Sequence, residues 1–356
     1  MSKETLQHLN NQTLIGHTDA RGNAWHYRAD LQGDEPNHYP GAIPVADVSR
    51  RLFDWHALSL PLAVELPAGL STMTHLNANG EPVCWQQVEG KQAIVRSDRT
   101  DGHVMGIFGE GYAPHPYRTW LLDTVANLLD DELSISSAGL LRDGAVAWVE
   151  VSVPESIVTE EGVVFRPNLL ATTAFDGSLA TTYKRTVTDV VCDNTRAAAL
   201  KEASPTVKVR HSRYSIMKLA DARSALSVVY DTADAFSAQV HELCATTVSA
   251  KVFAAFLDEW VPTKNDRGEP ITGKSLTLAD RKRSELERMW HHDPMVAPWT
   301  GTAHGVLQAV NTYEHHSRPV RGASRPERNM LRSVKGDFDA VDINAHRVLN
   351  QVLASV

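Results

Sequence analysis

Short apolar runs and tight turns alternate in the first half of the chain, a pattern typical of antiparallel strands. QAIVRSD (92–98) and HVMGIFG (103–109) lie on either side of Asp101-Gly102, a dipeptide that favours a hairpin turn. Two further pairs of apolar runs are divided in the same way: 133–153 around Asp143-Gly144, and 163–175 with 179–191 around Asp176-Gly177. The pattern predicts an antiparallel sheet.

The second half of the chain changes to helical spacing, in which apolar residues recur at i, i+3, i+4 and i+7. Residues 318–335 are an exception, because their bases are interleaved with Pro, Gly and Ser, and they predict an arginine-rich loop. Including two in the first half, the predicted helices are 45–53, 116–130, 194–201, 218–245, 252–260, 277–290, 301–316 and 338–355.

These patterns predict an α+β fold with an antiparallel β-sheet core and a helical C-terminal half. Residues 1–40 show no sustained period and are predicted to form an N-terminal arm. Residues 41–205 are expected to form the sheet core with its helices. Residues 206–356 are expected to form a helical region packed on that core.

From the composition we expect that most of the chain folds and that the protein remains in a reducing compartment. Of 356 residues, 42% are hydrophobic and 22% are charged, which is ordinary for a folded protein. The three cysteines lack C-x-x-C spacing, as expected for free thiols. The N-terminus is polar and no run approaches the ~20 apolar residues of a membrane span. We expect a cytoplasmic location.

The net charge of −8 conceals an uneven distribution. Residues 121–161 contain nine acids and one base, whereas residues 181–223 contain nine bases and four acids. The basic segment suggests a groove for a nucleic-acid backbone, although bases and acids of one chain also pair with each other. Two tyrosines in the segment could stack on bases. The candidate residues are Lys184, Arg185, Arg196, Lys208, Arg210 and Arg213 for phosphates, and Tyr183 and Tyr214 for stacking.

Other motifs give little support for an enzyme. Gly268–Ser275 matches the phosphate-binding pattern G-x-x-x-x-G-K-[ST], but it follows polar residues and contains Pro270. A polar inter-helix connection, with Thr277 as the cap of the next helix, explains the same residues without a ligand. The C-terminal histidines lack H-x-x-x-H spacing. No catalytic residue, metal or cofactor is predicted, and a nucleotide- or metal-dependent enzyme stays open as an alternative that would use Lys274 or His291, His292, His304, His315 and His316.

Three stretches, 175–200, 207–212 and 301–318, resemble the phage/plasmid-like proteins of the domain of unknown function 932 family, which occur on bacterial mobile elements. Val191-Cys192-Asp193-Asn194-Thr195 is similar to the family's V-C-x-N-T sequence. Gly301-Thr302-Ala303, with Asn311 and Tyr313, resembles its G-T helix, although His304 stands where an aromatic residue is expected. The resemblance covers roughly residues 40–320.

The order of predicted elements is also similar to the β-β-β-α core of single-strand annealing proteins from phage recombination systems. That resemblance implies a homo-oligomer that holds single-stranded DNA in a basic groove beside a hairpin and the following helix, and anneals strands without ATP. We therefore interpret the chain as a single-stranded DNA-binding protein of a phage or mobile element. The rival interpretation is a non-enzymatic inhibitor of a host defence or regulatory protein, with the acidic segment 121–161 meeting a basic partner.

Overall fold

A computed structural model describes residues 6–21, 27–32, 34–67, 75–76, 79–80, 82–127, 129, 133–153, 156–187, 206–212, 215, 230–265, 267–321 and 325–355. These residues form twelve strands. The strands are β1 Thr13–Ile15, β2 Ala57–Pro67, β3 His75–Leu76, β4 Pro82–Arg96, β5 Val104–Gly109, β6 Ser134–Leu141, β7 Val146–Ser152, β8 Ile157–Val158, β9 Val164–Phe165, β10 Asn168–Ala174, β11 Thr181–Thr186 and β12 Thr206–Val209.

The helices concentrate after residue 229, as the sequence predicts. Two π-helical segments occur as well, Arg118–Leu122 before α4 and Tyr313–Ser317 after α8. The α-helices are α1 Leu6–Gln12, α2 Thr18–Arg21, α3 Val45–Leu52, α4 Asp123–Ala126, α5 Tyr230–Ala245, α6 Ala250–Trp260, α7 Gly273–His292, α8 Ala303–Thr312, α9 Arg325–Lys335 and α10 Asp337–Ser355. The predicted α+β class, with antiparallel sheets and a helical C-terminal half, is confirmed.

A six-stranded sheet in the order β1-β6-β7-β10-β11-β12 forms the centre of the fold, and every pair in it is antiparallel. The hairpins predicted at Asp143-Gly144 and Asp176-Gly177 are both present. At the second turn, Gly177 has φ +75°, a conformation that glycine adopts without strain. Both turns therefore join the antiparallel strands that the sequence predicts on either side of them.

Both faces of this sheet are covered, because side chains alternate between two apolar clusters. Leu169, Ala171 and Tyr183 pack on one face with α3 and the segment around α4. Leu170 and Trp148 pack on the other face against α9. The helix α9 thus lies on the second face of the sheet, where Leu9 of α1 joins the same apolar cluster.

A second sheet contains β2, β3, β4 and β5, with β4 paired to each of the other three. The hairpin predicted at Asp101-Gly102 joins β4 to β5 and is confirmed. β8 and β9 form a separate two-stranded sheet. Phe165 of β9 packs against Phe236 of α5, which ties the helical half to the strands.

The predicted arginine-rich loop at 318–335 is wrong for its second part, which is the helix α9. Pro and Gly earlier in the segment suggested a loop, but Met330 and Val334 lie one turn apart and pack into the apolar cluster on the sheet. Burial of this pair explains why the segment folds as a helix. The predicted helix at 116–130 is also shorter, because it consists of one π turn and one α turn that end at Ala126.

Two predicted regional boundaries do not match the described elements. In the arm, β1 pairs with β6, so residues 13–15 belong to the central sheet. Past residue 205, β12 pairs with β11 as the last strand of the same sheet. The helix predicted at 194–201 and the first part of the one predicted at 218–245 lie outside the described residues.

Candidate functional site

A cleft of about 290 Å³ lies between the edge of the central sheet and the turn that joins α9 to α10. The sheet contributes side chains from β11 and β12, and the helices contribute residues on either side of Gly336. The polar residues that line the cleft are Thr172, Ser178, Thr182, Lys184, Thr206, Lys208, Lys335 and Asp339.

Strand register explains why the sheet residues share one face. Thr182 is opposite Lys208, and Lys184 is opposite Thr206, so all four point away from the buried Tyr183. β12 is the last strand in the sheet order, and Lys208 on it is exposed. The cleft is therefore open along the sheet edge and closed at its floor.

The floor is formed by an ion pair between Lys184 and Asp339, whose Nζ and Oδ2 atoms are 2.7 Å apart. Lys184 is only 6% exposed. Gly336, with φ +79°, makes this approach possible, because a Cβ there would stand 2.9 Å from Nζ of Lys184. The conformation and the contact both favour glycine at the turn.

Among the described residues that line the cleft, positive charge exceeds negative charge, because three lysines accompany one carboxylate. Burial, and then the charge of Arg142, lower the pKa of the Lys335 ammonium, while Asp176 and Asp337 act in the opposite direction. Lys208 has no ion pair among the described residues. Both lysine ammonium groups could donate charge-assisted hydrogen bonds to an anion that entered, so the site is suited to a phosphate group.

The residues predicted to contact phosphates do not all lie at one place in the structure. Lys184 and Lys208 lie together in the cleft, and Arg210, just after β12, is exposed. Arg185 points to the opposite face of the sheet, because its partner in β10 is Leu169 of the other apolar cluster. Arg196, Arg213 and Tyr214 lie outside the described residues.

Tyr183 does not present a ring for base stacking in this structure. Its side chain is 1% exposed and its hydroxyl donates a hydrogen bond to the backbone oxygen of Trp120. The strand alternation that brings Lys184 to the cleft sends its neighbour to the core. Tyr183 is thus a core residue, and the stacking role predicted for it does not fit its position.

The segment Gly268–Ser275 lacks the surroundings of a phosphate-binding loop. Its Pro270 forms a bridge with Lys264 that closes a turn, and Lys274 is exposed at the start of α7. Thr277 is not the helix cap, because α7 already begins at Gly273 and the Thr277 hydroxyl donates to that residue's backbone oxygen. The described part of this segment is a surface connection.

The C-terminal histidines are scattered over different environments. His304 and His315 are buried, whereas His291, His292 and His316 are exposed. Within the described ranges, no group of three or more His, Cys, Asp and Glu side chains is placed to hold a metal ion. The acidic segment is also interrupted, because Glu150 is fully buried and accepts hydrogen bonds from Ser136 and Ser137.

Sequence reasoning counted Lys335 in a second basic stretch, 318–335, but left it out of the candidate residues, and it missed Asp339; both complete the cleft from the helical half. Asp339 lies 155 positions after Lys184 in the chain. A possible signal was the basic periodicity of 325–335, where bases stand at i, i+3, i+7 and i+10. That spacing is the signature of a helix face.

These features define an α+β protein with a cationic cleft at the edge of an antiparallel sheet. The chain belongs to the family described as Domain of unknown function (DUF932), whose profile matches residues 104–335. That match includes β5 to β12 and α4 to α9, and therefore most of the cleft. No curated protein and no solved structure matches the chain. Among the helices of the described residues, none has the length and apolarity needed to cross a membrane.

Proposed function

We propose that this protein binds single-stranded DNA through the cationic cleft and supports strand annealing without ATP. The observation that carries the proposal is the convergence of Lys184, Lys208 and Lys335 on one cleft, where Asp339 is the one carboxylate that the described residues contribute. Lys184 forms an ion pair with Asp339, so Lys208 and Lys335 are the lysines that would contact phosphates. Arg210 extends the positive surface from the end of β12.

Backbone recognition of this kind follows from charge rather than from base contacts. Each phosphate neutralised by a lysine or arginine releases a counterion, and for single strands the slope of log K against log salt is about −0.7 per contact. Lys208, Lys335 and Arg210 would together contribute a slope of about −2. Affinity that falls with salt by this amount, with little dependence on base sequence, is the expected behaviour.

The test is fluorescence anisotropy with a labelled oligothymidylate, measured over a series of salt concentrations. Lys208→Ala removes an exposed lysine of the cleft, and Lys251→Ala removes an exposed lysine of α6 as a matched control. We expect Lys208→Ala to weaken binding and to flatten the slope by about 0.7, with no change for Lys251→Ala. Equal behaviour of the two variants, or no binding by the wild-type protein at low salt, contradicts the proposal.

Annealing, a phage or mobile-element origin and a cytoplasmic location belong to the same proposal. The annealing step is tested by mixing complementary labelled strands with the protein in the absence of ATP. Faster duplex formation that Lys208→Ala slows is the expected outcome. If strands bind but annealing is not accelerated, the protein is a single-strand binder without that activity.

The proposal includes self-association, for which the second sheet offers a surface. Leu60 and Ile107, 44% and 54% exposed, both lie opposite Ala93 and therefore share one apolar face. Ile107→Lys should lower the molar mass measured by light scattering, whereas Val158→Lys, on an exposed residue of β8, should not. A wild-type protein that is monomeric at all concentrations refutes this part.

A further inference from the structure

A second pocket, of about 580 Å³, lies between α7 and the π-helical segment Tyr313–Ser317, away from the cleft described above. Apolar walls are formed by Leu278, Tyr313 and Pro319. The charged residues that line it are Arg281, Lys282, Glu285, Glu314 and Arg318. The pocket is large enough for a ligand group rather than a single water.

A buried carboxylate organises one wall of this pocket. Oε2 of Glu314, a residue that is 3% exposed, accepts hydrogen bonds from Arg318 at 2.5 Å and Arg332 at 3.0 Å. Nζ of Lys282 stands 3.9 Å from Oε1. Burial raises the pKa of the Glu314 carboxyl, but its arginine partners outweigh that effect and hold the pKa below its ordinary value. Glu314 is therefore a fixed negative charge.

Two more arginines are held beside the same segment by backbone oxygens instead of carboxylates. Arg325 donates to the oxygen of Arg318 at 3.0 Å, and Arg328 donates to the oxygen of Glu314 at 2.7 Å. Burial, and then the guanidinium groups around it, lower the pKa of Arg328 to about 10. Cations are therefore crowded here beyond what Glu314 neutralises.

The mouth of the pocket keeps donors available for a ligand. Arg281 is exposed and has no ion pair among the described residues, while the Arg318 side chain is 48% exposed and uses one nitrogen on Glu314. Guanidinium groups bind phosphate oxygens through paired N–H donors. Glu285 is engaged by Arg288 and by the Ser317 hydroxyl, so it offsets the positive charge little.

The helix α9 connects this pocket to the first cleft. Its four bases, Arg325, Arg328, Arg332 and Lys335, recur at i, i+3, i+7 and i+10 and therefore form one stripe. At 1.5 Å per residue the stripe is about 15 Å long. Its first residues contact the segment that lines the pocket, and its last residue, Lys335, lines the cleft.

From this geometry we propose that the pocket between α7 and Tyr313–Ser317 binds a phosphate group through Arg281 and Arg318. On a bound single strand, this phosphate would be a second contact, reached along the basic stripe of α9 from the cleft. The strand part of the inference rests on the proposed function, whereas phosphate binding by the pocket does not depend on it.

The experiment compares Arg281→Ala with the Lys251→Ala control, because Arg281 is exposed and its loss leaves no described residue without an ion-pair partner. Anisotropy with an oligothymidylate of about 20 nucleotides measures the salt slope of each variant. A second arm measures the shift in thermal unfolding produced by millimolar pyrophosphate, with sodium chloride at matched ionic strength as reference.

We expect Arg281→Ala to flatten the slope by about 0.7 and to add its effect to that of Lys208→Ala in the double variant. If the wild-type protein binds the strand but Arg281→Ala has the same salt slope, the pocket does not contact the strand. The proposed function is then unaffected. If the wild-type protein binds no strand, the proposed function fails. The pocket inference is then supported by pyrophosphate stabilisation that Arg281→Ala abolishes, and it is overturned if pyrophosphate stabilises neither protein or both equally.

Discussion

The stability of this protein should fall steeply in mild acid because of two stacked histidines, the buried His115 and the half-buried His211. His115 and His211 stack on each other with ring centroids 4.0 Å apart, and Trp120 covers the outer face of His115. The hydroxyl of Thr181 is 2.6 Å from Nδ1 of His115, and that of Thr173 is 2.9 Å from Nε2 of His211. The remaining ring nitrogens, Nε2 of His115 and Nδ1 of His211, are buried and have no hydrogen-bond partner among the residues that the structure describes.

This environment favours the neutral rings. Burial, with a smaller contribution from His211, lowers the pKa of His115 to about 3, and burial lowers that of His211 to about 4. The unfolded chain has histidines near pKa 6.5, so between about pH 6.5 and pH 4 it binds two more protons than the folded chain at these positions. Stability therefore decreases as the pH falls through this window.

The size of the effect follows from proton linkage. Each histidine contributes about 1.4 kcal/mol per pH unit inside the window, which gives about 2 kcal/mol between pH 7 and pH 5. The pair should thus remove about 4 kcal/mol of stability over that range, a large part of the 5–15 kcal/mol that is typical for a folded domain.

Urea unfolding at pH 7 and pH 5, followed by tryptophan fluorescence, measures this loss. His115→Gln should reduce the loss by about 2 kcal/mol, whatever its effect on the stability at pH 7, because one titrating group has been removed. His291→Gln, on an exposed residue of α7, is the control and should leave the loss unchanged. If His115→Gln loses as much stability between the two pH values as the wild-type protein, the reasoning is refuted.

Three further variants test the architecture of the two sites by urea unfolding. Gly336→Ala should lower the free energy of unfolding by more than about 1 kcal/mol, and by more than Gly268→Ala does. Both glycines have positive φ, but only at Gly336 would a Cβ meet Lys184, so equal losses would contradict the role of Gly336. Tyr183→Phe should cost about 1–3 kcal/mol through an unsatisfied backbone oxygen and leave strand affinity unchanged; a specific loss of affinity would return Tyr183 to the binding surface. Glu314→Gln should cost about 3–5 kcal/mol, and a neutral result would contradict its role as the fixed charge.

Local patterns predicted the strands well because their turns carry their own signal. Asp101-Gly102, Asp143-Gly144 and Asp176-Gly177 each mark a hairpin that the structure contains. The helix α9 is harder to predict from the sequence. Proline and glycine earlier in its segment favour a loop, and the apolar pair Met330 and Val334 is a weaker signal than these residues. The apolar face of the sheet, on which that pair packs, stabilises the helix and cannot be recognised from the segment's own composition.

The candidate site could be predicted only in part, because it depends on contacts between distant segments. Alternation along β11 shows that Tyr183 and Lys184 point to opposite faces, but not which face the core occupies. Asp339 and Lys335 reach the cleft from the far end of the chain. The second pocket likewise joins α7 to the segment after α8, which lie more than 20 residues apart in sequence.

The most direct test of the central claim is the salt dependence of single-strand binding by the wild-type protein and Lys208→Ala. We expect binding that weakens with salt, with a slope that Lys208→Ala flattens by about 0.7 and Lys251→Ala leaves unchanged. Binding with the same slope in all three proteins, or no binding at low salt, would contradict the assignment of the cleft to a nucleic-acid backbone.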